Sequence, residues 1–225
     1  MTDEVAVLVM AKAPRPGFAK TRLLAMLGAD GCARLQEILI AGAVSVALSA
    51  APEATFVAFD PPDAEDEFAH LVPPGVRLLP QHGGDLGMRL TAAVDAVYTV
   101  HPGPLVVVGT DIPLLSGRQL RDAFAVLTSG SDVVLGPACD GGYYLIGMTR
   151  PESSLFDIAP ELWGGPGVLA ATIARAEVQR LRWQLIEELR DLDTPADAVA
   201  LATEPSLPSS LRPLLVGLSG EKADA

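Results

Sequence analysis

Two stretches of the chain, "VAVLVM" at residues 5–10 and "PLVVVGTD" at 104–111, are apolar on both faces of an extended strand. Such strands must be covered from both sides, which is the situation of a largely parallel sheet sandwiched between helices. The rest of the sequence supplies the covering layers. Further strands read at "ATFVAF" (54–59), "VRLL" (76–79), "DVVLG" (132–136), "YYLIGM" (143–148) and near 181–187. Helical spacing of apolar residues fills 21–50, with a break around Gly28–Gly31, and 86–100, where Asp85 offers an N-cap. It recurs near 116–128, 167–178 and 195–203. Alternation of this kind predicts an α/β fold. The close strand pair flanking "PACDGG" predicts a mixed or antiparallel element in the sheet. No repeat or linker divides the chain, so a single domain is expected over residues 1–203. The Pro/Ser-rich tail, 204–225, is expected to fray or pack loosely.

The remaining composition narrows the partners. No uninterrupted apolar run reaches the roughly 18 residues of a membrane-span candidate, and "MTDEVAVLVM" lacks the basic start of a secretory signal. Cys32 and Cys139 are too few for a metal or disulfide framework, which suits a reducing cytoplasm. A formal charge of −12 argues against a general nucleic-acid binder. No membrane partner is expected either, and the sequence carries no sign of oligomeric state.

Against that acidic background, Lys12, Arg15, Lys20 and Arg22 crowd into "AKAPRPGFAKTRL", residues 11–23. Ligands in α/β folds bind beyond the carboxyl ends of the strands, and this loop follows the first strand. A Walker A loop needs glycine six positions and one position before its lysine; counting back from Lys20 gives Pro14 and Ala19. A dinucleotide fingerprint fails as well, because only one glycine is present. What is left is a proline-stiffened loop, from Ala11 through Pro14, that aims cations and leads into a helix start near Thr21. Helix N-termini and charge-assisted bonds both favour a phosphate.

Carboxylates stand behind other strands. Asp111 follows "VVVGT", and "RDLDTPAD" offers Asp191 and Asp193 near the C-terminus. Each has an ordinary structural role available, as a turn or cap residue. Taken with the cation loop, Asp111 and Asp193 suit a divalent metal held against ligand phosphates, since Mg²⁺ needs only one or two carboxylates plus phosphate and water. "PACDGGYYLIG" places Asp140, Gly141 and Gly142 before Tyr143 in a tight turn. "LPQHGGDLGMRL" adds a glycine-rich turn with Gln81, Gly84 and Arg89, able to receive a base, sugar or phosphate. Cys139 has no histidine partner and is not read as a nucleophile. The acidic run "DPPDAEDE" (60–67) reads as a solvated face.

"AKAPRPGFAKTRL", "GGDLGMRL", "GTDIPLL", "PACDGGYYLIGM" and "LDTPAD", in that order across residues 4–203, resemble the family called transferase 1 or radical-SAM/selenodomain-associated glycosyltransferase-like proteins. That family is similar to 2-phospho-L-lactate guanylyltransferase and belongs with the nucleotide-diphospho-sugar transferases of GT-A fold. The resemblance implies a three-layer α/β/α sandwich with a mixed, mostly parallel seven-stranded sheet. It implies that Lys20 and Arg22 meet phosphates, that Asp111 and Asp193 hold Mg²⁺ or Mn²⁺, and that the Asp140–Gly141–Gly142 turn borders an acceptor pocket. One segment departs from the family pattern. "ELWGGPGVL" keeps Trp163 but has glycines where many members carry the hydroxyl residues of a "PWST"-like segment.

Nucleotidyl transfer from an NTP to a small phosphorylated or hydroxyl acceptor is the leading expectation. Glycosyl transfer from a nucleotide sugar, with Asp140 as base, is the second. Nucleotide binding without turnover is the third.

Overall fold

The computed structural model describes residues 5–216. The chain runs β1 (Ala6–Lys12), a 3₁₀ turn (Thr21–Leu23), α1 (Leu24–Ala50), β2 (Thr55–Asp60), α2 (Glu65–Leu71), β3 (Arg77–Pro80), α3 (Leu86–Tyr98), β4 (Leu105–Gly109) and α4 (Gly117–Thr128). It continues through β5 (Val133–Pro137), β6 (Tyr143–Met148), α5 (Val168–Val178), β7 (Trp183–Leu185), α6 (Pro195–Ala202) and α7 (Arg212–Val216). The strands form one sheet in the order β3-β2-β1-β4-β6-β5-β7. Only β6 is antiparallel to its neighbours β4 and β5, so the sheet is mixed and mostly parallel, as the short β5–β6 connection demanded.

The doubly apolar strands are buried on both faces for the reason their sequence gives. Val7, Val9, Val106 and Val108 meet Ile40, Val44 and Ala47 of α1 and Leu120 and Ala123 of α4. On the opposite face Ala6, Leu8, Leu105 and Val107 meet Leu90, Val94 and Val97 of α3 and Ala176 of α5. Each fully buried Leu or Ile side chain is worth about 2 kcal/mol of transfer free energy. α1 is long and apolar enough to cross a membrane by length and composition alone. Its buried residues, Leu35, Leu39, Ile40 and Val44 among them, face this protein's own core. The expected break in that helix falls at Gly28, whose φ of 68° leaves the helical region.

Two expectations are corrected. The acidic run 60–67 is solvated at Asp63, Glu65 and Asp66 but not at its ends: Asp60 closes β2 and is buried, and Glu67 is half-buried in the first turn of α2, where carboxylates suit the helix dipole. Nor is the tail loose through its described part. Leu207, Leu211 and Leu215 are buried in a third apolar cluster with Leu23, Cys32, Leu35, Leu192 and Leu201. Residues 217–225 lie outside the described part. This cluster clamps the loop after β1 to the segment after β7, and the candidate site lies beside it.

Candidate functional site

Parallel strands β1, β2, β3, β4, β5 and β7 end at one edge of the sheet, and the antiparallel β6 begins there. The chain order reverses between β1, which is followed by its neighbour β2, and β4 on its other side. That crevice is the switch point at which doubly wound folds hold ligands. A cavity of about 510 Å³ opens over it, lined among others by Ala11, Lys12, Lys20, Arg22, Gln81, Arg89, Asp111, Asp140, Gly142, Tyr143 and Asp193. Pro14, Arg15, Gly84 and Gly141 lie outside the lining.

The centre of the site is Lys20. Its ammonium donates to the Leu192 carbonyl (2.9 Å) and to Asp193 Oδ1 (3.0 Å), and pairs with Asp111 Oδ1 at 2.5 Å. The side chain is only 3% exposed. An ammonium has three donors, and all three are committed to the protein. Burial by itself would lower the Lys20 pKa, but the charges of Asp111 and Asp193 outweigh it and hold the group protonated, with its pKa above the ordinary value. The backbone of Lys20 is left-handed (φ 54°, ψ 37°), a conformation that costs a non-glycine residue about 1–2 kcal/mol. Its carbonyl accepts from the Leu23 N–H, starting the 3₁₀ turn, and from Cys32 Sγ at 3.4 Å. Lys20 lines the cavity and joins two carboxylates from distant strand ends.

The other cations of the loop diverge. Arg15 turns away and pairs with Glu67 (2.6 Å) and Asp63 (3.2 Å) of the α2 region, so its expected place in a nucleotide site is not where the fold puts it. Arg22 remains free for an anion: its side chain is 66% exposed, and its nearest carboxylate, Asp193 Oδ2, is 3.8 Å away. Lys12 is exposed at the cavity wall. Arg89 also lines the cavity but is bonded to Asp60 Oδ2 (2.9 Å) and to the Gly83 carbonyl (3.3 Å). Gln81 is buried, with its amide nitrogen on the carbonyls of Ala58 (2.8 Å) and Ala11 (3.3 Å), which ties β3 to the ends of β2 and β1.

Gln36 is a site residue that the sequence reading missed. It is 2% exposed, on the core face of α1, and its side-chain nitrogen donates to the Lys12 carbonyl (3.1 Å) and Thr110 Oγ1 (3.3 Å). Thr110 in turn donates to Asp111 Oδ1 at 3.4 Å. One helix side chain thus braces the loop after β1 against the end of β4. Its signal was present, a polar residue flanked by Leu35, Ile38 and Leu39 in an otherwise apolar stripe.

Across the cavity, the β5–β6 turn is closed by Asp140, whose Oδ1 accepts from the Gly142 N–H at 2.8 Å. Gly141, at φ 89°, packs so closely on Pro166 that a Cβ would lie 2.4 Å from its carbonyl oxygen. Asp191 joins this side, buried and lining the cavity. Burial first, then the charges of Asp140 and Asp193, push its pKa up to about 6. The Tyr143 ring lines the cavity while its hydroxyl is buried, and burial raises its pKa. Burial and Glu188 likewise raise the pKa of the exposed Cys139 thiol, which favours its protonated form.

Can the carboxylates take a divalent metal? Asp111 and Asp193 converge on one cation, and both are partly exposed toward the cavity, at 49% and 34%. Among the described residues no group of three or more His, Cys, Asp or Glu side chains forms a ready-made metal site. The donor set fits a hard cation that draws its remaining oxygens from a bound phosphate and water.

A family model described as "Uncharacterized protein conserved in bacteria (DUF2064)" matches residues 43–161, more than half of the chain. The chain belongs to this family. No curated protein matches its sequence. Among solved structures, a Desulfovibrio desulfuricans protein assigned as a nucleotide-diphospho-sugar transferase is 29% identical, covering 96% of this chain and 95% of that one, with a TM-score of 0.81. A cytidylyltransferase from Leptospira borgpetersenii is 14% identical over 96% of this chain and 94% of its own, with a TM-score of 0.55. A manganese complex of a Mycobacterium tuberculosis protein is 16% identical over 84% of this chain and 92% of its own, with a TM-score of 0.52. The last two share the fold. The expected nucleotide-diphospho-sugar transferase fold is thereby found.

Proposed function

We propose that this protein transfers a nucleotidyl group from an NTP to a small acceptor, releasing pyrophosphate. The observation that carries the reading is the convergence of Asp111 and Asp193 on Lys20, beside the free Arg22 at the mouth of the cavity. The Leptospira cytidylyltransferase of like fold supports it.

Asp111 and Asp193 would hold Mg²⁺ or Mn²⁺ against the triphosphate; the manganese complex of like fold supports this choice. When bound, such a cation supplies charge neutralisation at the transferring and leaving phosphates. Lys20 keeps the two carboxylates in register. Arg22 and Lys12 bind the phosphates from the open side, and Ala11 with Gln81 borders the base. The acceptor oxygen attacks the α-phosphorus, the bond to pyrophosphate breaks, and the acceptor hydroxyl proton passes to Asp140. Most of the rate gain in such a site comes from positioning and preorganised charge.

A second reading, glycosyl transfer from a nucleotide sugar, is favoured by the Desulfovibrio relative, which matches nearly the whole chain. Incubation with each NTP, Mg²⁺ and a cell extract releases pyrophosphate under the first reading. Incubation with nucleotide sugars releases free NDP under the second. Nucleotide binding with neither product would mean a binding protein and end both.

A further inference from the structure

The far wall of the cavity shows what kind of acceptor it suits, an inference that rests on the transferase reading in either form. Asp140 and Asp191 line that side. Among the described residues neither of the two is ion-paired, and the free Arg22 stands beside Asp193 instead. Lys20 is committed to Asp111, Asp193 and the Leu192 carbonyl. The neighbouring Arg190 is bonded to Asp197 at 3.1 Å, and Asp197 is fixed in the capping box of α6. A phosphate monoester placed against Asp140 and Asp191 would meet like charge, and like-charge juxtaposition of this kind rejects ligands strongly. Ionised carboxylates only accept hydrogen bonds, so this wall calls for donors.

The same cavity also has an apolar surface. Trp163, Tyr143 and Val168 line it, with Gly164 and Gly165 presenting no side chain and no hydroxyl. It is prebuilt rather than adaptable. A Cβ on Gly87 of α3 would lie 2.9 Å from Trp163 Nε1, so the helix presses directly on the indole. The Gly141–Pro166 contact and the Leu169 N–H to Gly141 carbonyl bond (3.2 Å) lock the Asp140 turn to the loop that carries Trp163. An aromatic face and acceptor-only groups in one cavity complement a ring with an apolar side and a rim of hydroxyl or ammonium donors.

We infer that the acceptor is an unphosphorylated polyhydroxylated ring, a neutral sugar, amino sugar or cyclitol, held between Trp163 and the carboxylates of Asp140 and Asp191. The test has two stages. Calorimetry first measures binding, with Mn²⁺, of non-hydrolysable analogues of all four NTPs and of UDP-, GDP- and ADP-glucose; absence of binding by every one overturns the transferase reading itself. The nucleotide-loaded protein is then titrated with glucose, glucosamine and myo-inositol, and with glucose 1-phosphate and glucosamine 1-phosphate. At least one unphosphorylated ring should bind at least tenfold more tightly than either phosphate ester. Trp163→Leu should weaken that ring at least tenfold with nucleotide affinity within twofold, and Asp140→Lys should reverse the preference toward the esters. Tighter binding of an ester by the native protein, or no ring binding while the nucleotide still binds, overturns the inference.

Discussion

The loop behind β1 and the segment behind β7 meet over one cavity and share one apolar clamp, yet they treat charge in opposite ways. The first carries four cations and buries only Lys20; Arg15 is drawn off to α2, and Lys12 and Arg22 stay open. The second carries carboxylates: Asp193 shares the buried lysine, and Asp191 is buried without a cation. The lesson is that the sign of a charge sets what it can bind, while burial sets whether it is free to do so. Lys20, the phosphate ligand expected from the sequence, is the cation of the loop most fully paired within the protein.

Asp111→Asn tests the comparison at its centre. It should reduce turnover by about 10³-fold, as loss of a key electrostatic group does, and abolish Mn²⁺-dependent nucleotide binding by calorimetry with the circular dichroism spectrum unchanged; undiminished metal-dependent affinity would sink the metal assignment. Lys20→Met leaves two neighbouring carboxylates without their shared cation. Because both are partly exposed, the loss is discounted to about 2 kcal/mol, seen as a Tm roughly 4–8 °C lower. A Tm within 1 °C of the native value would mean that Lys20 does not organise them.

Asp191→Asn probes the opposite sign. The folded-state pKa of about 6 lies above the ordinary carboxylate value, so ionisation of Asp191 opposes folding above that pH. The variant should be more stable than native protein by ~2 kcal/mol above pH 7. The gain should shrink as pH falls through 6 and vanish near 4, as followed by denaturant unfolding; a pH-independent difference would contradict this. Arg22→Ala should weaken triphosphate binding about tenfold, the scale of one charge-assisted contact, with little effect on a nucleoside. An equal loss for both would count against a phosphate role. Arg15→Ala should do least. Its pairs are half-exposed, so stability should hardly change, and nucleotide affinity should not change at all.

Much of the fold was legible because it is written locally. Hydrophobic period, a capping Asp85 that does accept from the Met88 N–H, and the glycine break in α1 are all settled within a few residues of themselves. The short α2 was not, because an acidic first turn looks the same as a solvated loop. Residues 205–215 were misread for a related reason: Leu207, Leu211 and Leu215 are spaced by four, but their partners lie on α1 and α6. Candidate site positions were legible through the rule that ligands gather behind strands. The partners of those side chains were not. Lys20 and Asp193 are 173 residues apart along the chain, and no window of sequence contains both.

The sequence by itself determined the strands, the helices α1, α3, α4, α5 and α6, their alternation and the chemical groups waiting at one edge of the sheet. Only the tertiary structure decided that Lys20 would be consumed between two carboxylates, that Arg15 would be pulled away, and that Gln36 would brace the crevice. The reason is physical. Periodicity and capping depend on neighbours along the chain, whereas the direction, burial and pairing of a charge depend on which strand ends the packed core brings together.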